Sequence, residues 1–121
     1  ALVLRGAEFL LFPTAIGSEP AAPDYDSRDH WQVTMRGHAA ANIVPLIASN
    51  RIGTETTEGV AMTFYGSSFI AGPTGALLAE ADRRTEGIVT ATVDLDAANA
   101  LRRINEFWEE DFLDLRGADG A

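Results

Sequence analysis

The residues of this 121-residue chain whose types could do chemistry are two histidines, a serine pair, a glycine-framed turn and scattered carboxylates. His30 and His38 are the only histidines. On one helix they would stand about 12 Å apart along the axis, too far to chelate one ion without ligands from elsewhere. Asp26 and Asp29 lie nearby in sequence, but core or interface roles suit the pair better than a metal site. Ser67 and Ser68 follow Gly66, yet GSSF lacks the second glycine of a nucleophile elbow and falls inside a strand-like stretch. Gly72-Pro73-Thr74-Gly75 has neither the lysine nor the length of a phosphate loop, and reads as a turn. Asp94 and Asp96 read as a strand end and a helix cap, and Arg83 with Arg84 as a solvated turn.

Glu19 stands apart. It lies between Ser18 and Pro20 in a loop of small residues, directly after the apolar run Phe9 to Phe12. Loops at the C-terminal ends of buried strands are where open α/β sheets bind ligands. The carboxylate is either an ordinary exposed loop group or an anchor for a cationic substrate, because a partly buried carboxylate pairs strongly with an amine.

Composition narrows the chemistry. A net charge of −9 and a pI near 4.5 oppose binding to nucleic acid phosphates, and the arginines form no basic stripe. There is no cysteine, hence no disulfide, thiolate metal site or cysteine nucleophile. All nine basic residues are arginine, so no lysine amine is available either. The apolar runs fall short of the roughly 20 residues that span a bilayer. A cytoplasmic protein with no membrane partner is the expectation.

The elements that must position these residues follow from local pattern. ALVLRG reads as the last turn of a helix closed by Gly6. No first turn precedes it, so the chain is expected to be a fragment that starts within an element. Phe9 to Phe12 reads as a buried strand stopped by Pro13. A helix is expected over Ser27–Ala41, capped by Asp26 or Ser27, with Asp29 in its first turn. Trp31, Met35, His38 and Asn42 share one stripe. Gly37 inside the helix suggests a close helix–sheet contact.

Ile43 to Ala48 reads as a second buried strand, although Pro45 removes a ladder donor. SNRIGTETTEGVA reads as loop, Thr63 to Ala71 as a strand, Gly72 to Gly75 as a hairpin turn, and Ala76 to Ala81 as the returning strand. The alternation of Ile88 to Leu95 predicts a half-buried strand. Asp96 would cap a last helix over Ala97–Trp108, with a frayed tail beyond. The order predicts a layered α/β domain with some antiparallel pairs.

Several stretches together carry a resemblance: GAEFLLFPTAIGSEP, SRDHWQVTMRGHAAANIVPLIASNRIG, TFYGSSFIAGPTG and TATVDLD. In order and without large gaps, from about Ala1 to Asn99, they resemble the C-terminal half of the N-carbamoylputrescine amidase branch of the nitrilase (carbon–nitrogen hydrolase) superfamily. The resemblance implies one partial domain over 1–121, belonging to a four-layer α-β-β-α sandwich with a mixed sheet, in a protein that assembles as a homo-oligomer. It implies hydrolysis of N-carbamoylputrescine to putrescine, carbon dioxide and ammonia by a Glu–Lys–Cys triad, without metal or cofactor. A thiolate attacks the carbamoyl carbon, a glutamate shuttles protons and a lysine stabilises the oxyanion.

The resemblance places the cysteine before the helix whose end is Ala1 to Arg5, and the glutamate and lysine further upstream. The zero counts of cysteine and lysine agree, so no catalytic residue is assigned. Glu19 matches the glutamate that receives the distal ammonium of a small cationic carbamoyl-amine substrate. Thr14, Ala15 and Ile16 match the loop lining its reacting end. The expectation is a fragment inactive without the N-terminal half of its domain. The alternative is a non-catalytic diamine-binding or assembly module on a degenerate amidase fold. Two departures stand out: TETTEGVAM differs in detail, and the acidic, proline-free segment after Arg103 leaves 109–121 an atypical tail where subunit contacts are expected. Half a sandwich would also expose a sheet face, prone to aggregation or partner-seeking.

Overall fold

The computed structural model describes residues 1–105. A short 3₁₀ turn, Val3–Arg5, closes on Gly6 in the left-handed conformation, as the sequence reading expected of a helix end. Strand β1, Leu10–Thr14, leads through a loop to helix α1, Arg28–Asn42. Then come β2, Leu46–Asn50, the strands β3, Ile52–Thr57, and β4, Val60–Tyr65, and the pair β5, Phe69–Ala71, and β6, Leu77–Glu80. A second helix, α2, occupies 95–105. The architecture is an α/β mixed sheet with two helices.

The main sheet has the order β1-β2-β5-β6, with β1 parallel to β2 and the other pairs antiparallel. Alternation decides which side chains meet α1. Leu10, Leu46, Ala48, Phe69 and Ala71 form a core with Trp31 and Ala39 of the helix. Trp31 sets its ring edge-on to Phe69 at 5.4 Å and tilted to Tyr65 at 5.9 Å, geometries aromatic pairs prefer. The N-terminus of α1 is fixed by polar groups: Arg28 pairs with Glu80 of β6, and Gln32 Nε2 donates to the same carboxylate at 3.2 Å. On the opposite face of the sheet Leu11 of edge strand β1 is 67% exposed, whereas Ile47 and Ile70 on the same rung are partly and largely covered, so only the edge of that face is bare.

Several expectations need correction. β1 continues through Pro13 rather than stopping there, because an edge strand pairs on one side only and tolerates a missing donor. β2 starts at Leu46, not Ile43. Ile43 turns left-handed (φ 51°) to end α1, and Pro45 precedes the ladder while its carbonyl accepts from the Leu10 amide. The stretch read as loop from Ser49 to Ala61 is largely the β3–β4 hairpin. Glu58 and Gly59, both at positive φ, make its two-residue turn. Thr63 to Ala71 is not one strand: Gly66 (φ 52°) and Ser67 (φ 61°) reverse the chain between β4 and β5, which lie in different sheets.

Residues 88–94 form no strand among the described residues, and Ile88 is 92% exposed. The alternation is there, but no neighbouring strand pairs with it. Asp94, not Asp96, caps α2, its Oδ1 accepting from the Ala97 amide at 2.9 Å. Gly37 meets no close contact, since a Cβ there would have nothing within 4 Å. The expected helix continuation to Trp108 and the atypical tail lie outside the described residues.

Candidate functional site

The parallel pairing of β1 with β2 puts Thr14 opposite Asn50 where both strands end. Thr14 Oγ1 donates to the Ser49 carbonyl at 2.9 Å and lies 3.1 Å from Asn50 Oδ1. Two residues on, the Ile16 amide donates to Asn50 Oδ1 at 2.9 Å, and the Ile16 carbonyl accepts from Asn50 Nδ2 at 2.9 Å. Nδ2 also donates to the Gly66 carbonyl at 3.0 Å, and the Asn50 amide donates to Ser68 Oγ at 2.9 Å. One carboxamide thus gathers the loop after β1 and the turn after β4.

The far side of the loop is laced to β4. Gly17 bridges Phe64 in antiparallel fashion. The Ser18 amide donates to the Thr63 carbonyl at 2.8 Å, while Ser18 Oγ accepts from the Thr63 amide at 2.9 Å. Only glycine fits at position 17, where a Cβ would lie 2.7 Å from the Phe64 Cα. Ile16 packs its side chain against the core, Thr14 is half-buried and Ala15 is exposed. Glu19 follows on an exposed turn, its carbonyl accepting from the Ala22 amide at 2.9 Å. The ion pairs among the described residues are Arg28–Asp29, Arg28–Glu80, Arg51–Glu55 and Arg83–Asp26, and they leave the Glu19 carboxylate uncommitted.

Beside this loop lies a cleft of about 200 Å³ lined in part by Ser18, Asp26, Ser27, Tyr65 and Arg83. Arg83 binds Asp26 at 2.7 Å and stands 5.9 Å from the centre of the Tyr65 ring. Arg83 sits on the solvated turn the sequence suggested and is also engaged there by Asp26. Its hydrogen bond is the main cause holding the Asp26 carboxyl below its ordinary 3.8, with the Arg28 amide adding to it. Burial pushes the Tyr65 phenol up, partly offset by the 3.2 Å hydrogen bond to Ser27 Oγ.

The carbon–nitrogen hydrolase family model matches residues 1–103. The chain belongs to the carbon–nitrogen hydrolase family. It is 57% identical over 107 residues to the N-carbamoylputrescine amidase of Arabidopsis thaliana, covering 85% of this chain and 36% of that protein. It is 59% identical over 93 residues to a citrullinase of Francisella tularensis, covering 77% and 32%. A carbon–nitrogen hydrolase crystal structure from Helicobacter pylori superposes with a TM-score of 0.73 at 38% identity, covering 88% of this chain and 38% of that one. The chain spans about a third of the length of these curated relatives.

Within this carbon–nitrogen hydrolase chain, Thr14 ends β1, and Ala15, Ile16 and Glu19 follow it in one continuous loop. The other chemistry-bearing residues are placed elsewhere. His30 Nδ1 lies 3.3 Å from the Tyr25 hydroxyl, and His38 stacks on Phe12 with ring centres 6.2 Å apart. No cluster of three or more metal-ligating side chains occurs among the described residues. Ser67 is fully buried and donates to the Tyr65 carbonyl, and Ser68 serves Asn50, so neither is placed as a nucleophile. No helix among the described residues is long and apolar enough to cross a membrane. Sequence reasoning missed Asn50 and Gly17. Their signals were an asparagine closing a strand and a glycine in a loop of otherwise substituted residues, and neither reports a partner more than thirty positions away.

Proposed function

We propose that this chain is the substrate-recognising C-terminal portion of a hydrolase that cleaves a carbamoyl amine, the N-carbamoylputrescine type, into an amine, carbon dioxide and ammonia. The observation that supports this most is the fastened loop from Thr14 to Glu19. It holds small side chains at one end and an uncommitted carboxylate at the other. Thr14, Ala15 and Ile16 would line the reacting end, and Glu19 would receive the distal ammonium. An ion pair between an ammonium and that carboxylate is stronger than a neutral hydrogen bond. The nucleophile and its partners would come from the remainder of the domain, since this sequence has neither cysteine nor lysine. The partners implied are the cationic substrate, that preceding portion, and further copies in a homo-oligomer, in the cytoplasm, with no metal or cofactor required.

A second reading follows from the citrullinase relative and from Arg83. Arg83 lines the cleft with Ser18, and by exchanging Asp26 for a ligand carboxylate it would suit a substrate whose far end carries a carboxylate beside its ammonium. Ammonia release separates the possibilities. The isolated chain should release none from N-carbamoylputrescine, and joining it to the preceding portion of the domain should restore turnover. Preference for citrulline over N-carbamoylputrescine in the joined protein would favour the second reading. Robust release by the isolated chain would overturn the proposal.

A further inference from the structure

We infer that Asn50 is a positioning residue for the hydrolysis proposed above, fixing the wall formed by Thr14, Ala15 and Ile16 at the distance the reacting end of the substrate requires. The inference rests on that functional reading, but its geometric part stands by itself. The β1–β2 ladder ends at the pair Thr14 and Asn50. Beyond it, backbone pairing would leave Ile16 without a rung, and the Asn50 side chain supplies one. Oδ1 takes the Ile16 amide and Nδ2 gives to the Ile16 carbonyl, both at 2.9 Å. This copies the exchange between paired strand residues, with a carboxamide standing in for a peptide group.

The second Nδ2 proton goes to the Gly66 carbonyl at 3.0 Å. That carbonyl is presented by a turn with two successive left-handed residues, Gly66 and Ser67, and Ser67 is an L-residue for which this conformation is unfavourable. Gly66 cannot be replaced cheaply, because a Cβ there would lie 2.7 Å from Ile52 Cγ2 and 2.9 Å from the Asp82 carbonyl. The turn is held by the Gly66 amide to the Arg51 carbonyl at 2.8 Å and the Ser67 amide to the Asp82 carbonyl at 3.0 Å. Two separate segments therefore converge on one side chain whose acceptor and both donor positions are occupied.

The arrangement also fixes the residue type. Turning the carboxamide over would set NH₂ against the Ile16 amide and oxygen against two carbonyls, so the hydrogen-bond network selects one orientation. Aspartate keeps the shape but offers no donor to either carbonyl and points a charge at both. Serine is too short to reach across, and leucine leaves the Ile16 amide unpaired. Catalysis in such sites depends on placement, where an error of about 1 Å costs roughly 100-fold in rate. A wall tied by one rigid carboxamide meets that demand better than one tied by a flexible side chain.

The test has two readouts. In the chain itself, Asn50→Leu, which removes the acceptor of the Ile16 amide, should speed amide hydrogen exchange at Ile16 at least tenfold, while exchange at Phe12 and Ala48 in the main sheet stays within twofold. Should Asn50→Leu unfold the chain, Thr14→Val, which removes only the hydroxyl from the network, decides instead by a smaller rise confined to the same loop. Unchanged exchange at Ile16 with a folded variant overturns the clamp. In the hydrolase joined to the preceding portion of its domain, Asn50→Asp should lower kcat roughly 100-fold with KM within about threefold, whereas a merely structural role would lower the amount of active enzyme and leave kcat per active site unchanged. A hydrolase with wild-type Asn50 that releases no ammonia would sink the functional reading, and the exchange result would still decide the clamp.

Discussion

The loop from Thr14 to Ser18 and the segment 88–94 differ in a way their sequences do not announce. PTAIGS interrupts its apolar residues with proline, glycine and hydroxyls, and reads as irregular. IVTATVD alternates as a strand should. Yet the first is fastened along both sides, to Asn50 on one and to Thr63, Phe64 and Tyr65 on the other. The second pairs with no strand among the described residues and leaves Ile88 almost fully open. Alternation gives a segment the capacity to be a strand, but ladder hydrogen bonds need a neighbour. Order in this molecule follows partners more than propensity.

That contrast can be broken most severely at Gly17. Gly17→Ala should destabilise the chain by about 3 kcal/mol, the upper range for overpacking, because its Cβ would meet backbone and not a movable side chain. Chemical denaturation measures the loss, and unchanged stability would mean the bridge to Phe64 is not what holds the loop. Asp94→Ala, at the point where the open segment becomes helix, should cost about 1 kcal/mol through the lost cap, read as a lower thermal midpoint. A smaller effect is expected from acid at the last fastening before the open segment, the Arg83–Asp26 pair. The Asp26 carboxyl titrates below its ordinary 3.8, so its contribution is complete above that value and disappears as pH falls through the lowered one. Arg83→Gln should flatten the stability profile only in that acid window. Smallest of all, Ile88→Thr should change stability by less than about 0.5 kcal/mol, since the side chain is already in water. A loss of several times that amount would show that 88–94 is packed after all.

What was legible in the sequence was local. The extent of α1 could be read from Asp26, Asp29 and the Trp31-to-Asn42 stripe because caps and periodicity lie within the element. The turn at Gly72 to Gly75 could be read from its residues, and the structure closes it with the Gly75 amide on the Gly72 carbonyl at 2.9 Å. The hairpin β3–β4 escaped because most of its side chains are exposed on both faces, so burial leaves little alternating signature. Its turn uses Glu58-Gly59 where Asn-Gly or Asp-Gly is the familiar signal. The break of Thr63 to Ala71 at Ser67 escaped because serine gives no warning of a left-handed backbone. The stripe was legible in period but not in depth: Trp31 is buried while His38 is exposed.

The candidate site divides the same way. Glu19 stood out by itself, as a lone carboxylate after an apolar run, and the resemblance to amidases added Thr14, Ala15 and Ile16. Asn50 did not stand out, because its work is done across 34 residues to Ile16 and 16 to Gly66. A side chain whose role is to join distant segments carries no local mark. The residues proposed to touch a ligand were easier to find here than the residue proposed to set their position.

The central claim, that the fastened loop presents Glu19 to the ammonium of a carbamoyl amine, is tested most directly by substrate discrimination in the hydrolase joined to the preceding portion of its domain. The ratio of kcat/KM for N-carbamoylputrescine to that for its uncharged analogue butylurea should fall about 10- to 100-fold on Glu19→Gln, the equivalent of a charged hydrogen bond worth roughly 1.5–3 kcal/mol. The rate on butylurea itself should hold nearly constant. An unchanged ratio would contradict the account and leave Glu19 an ordinary surface carboxylate.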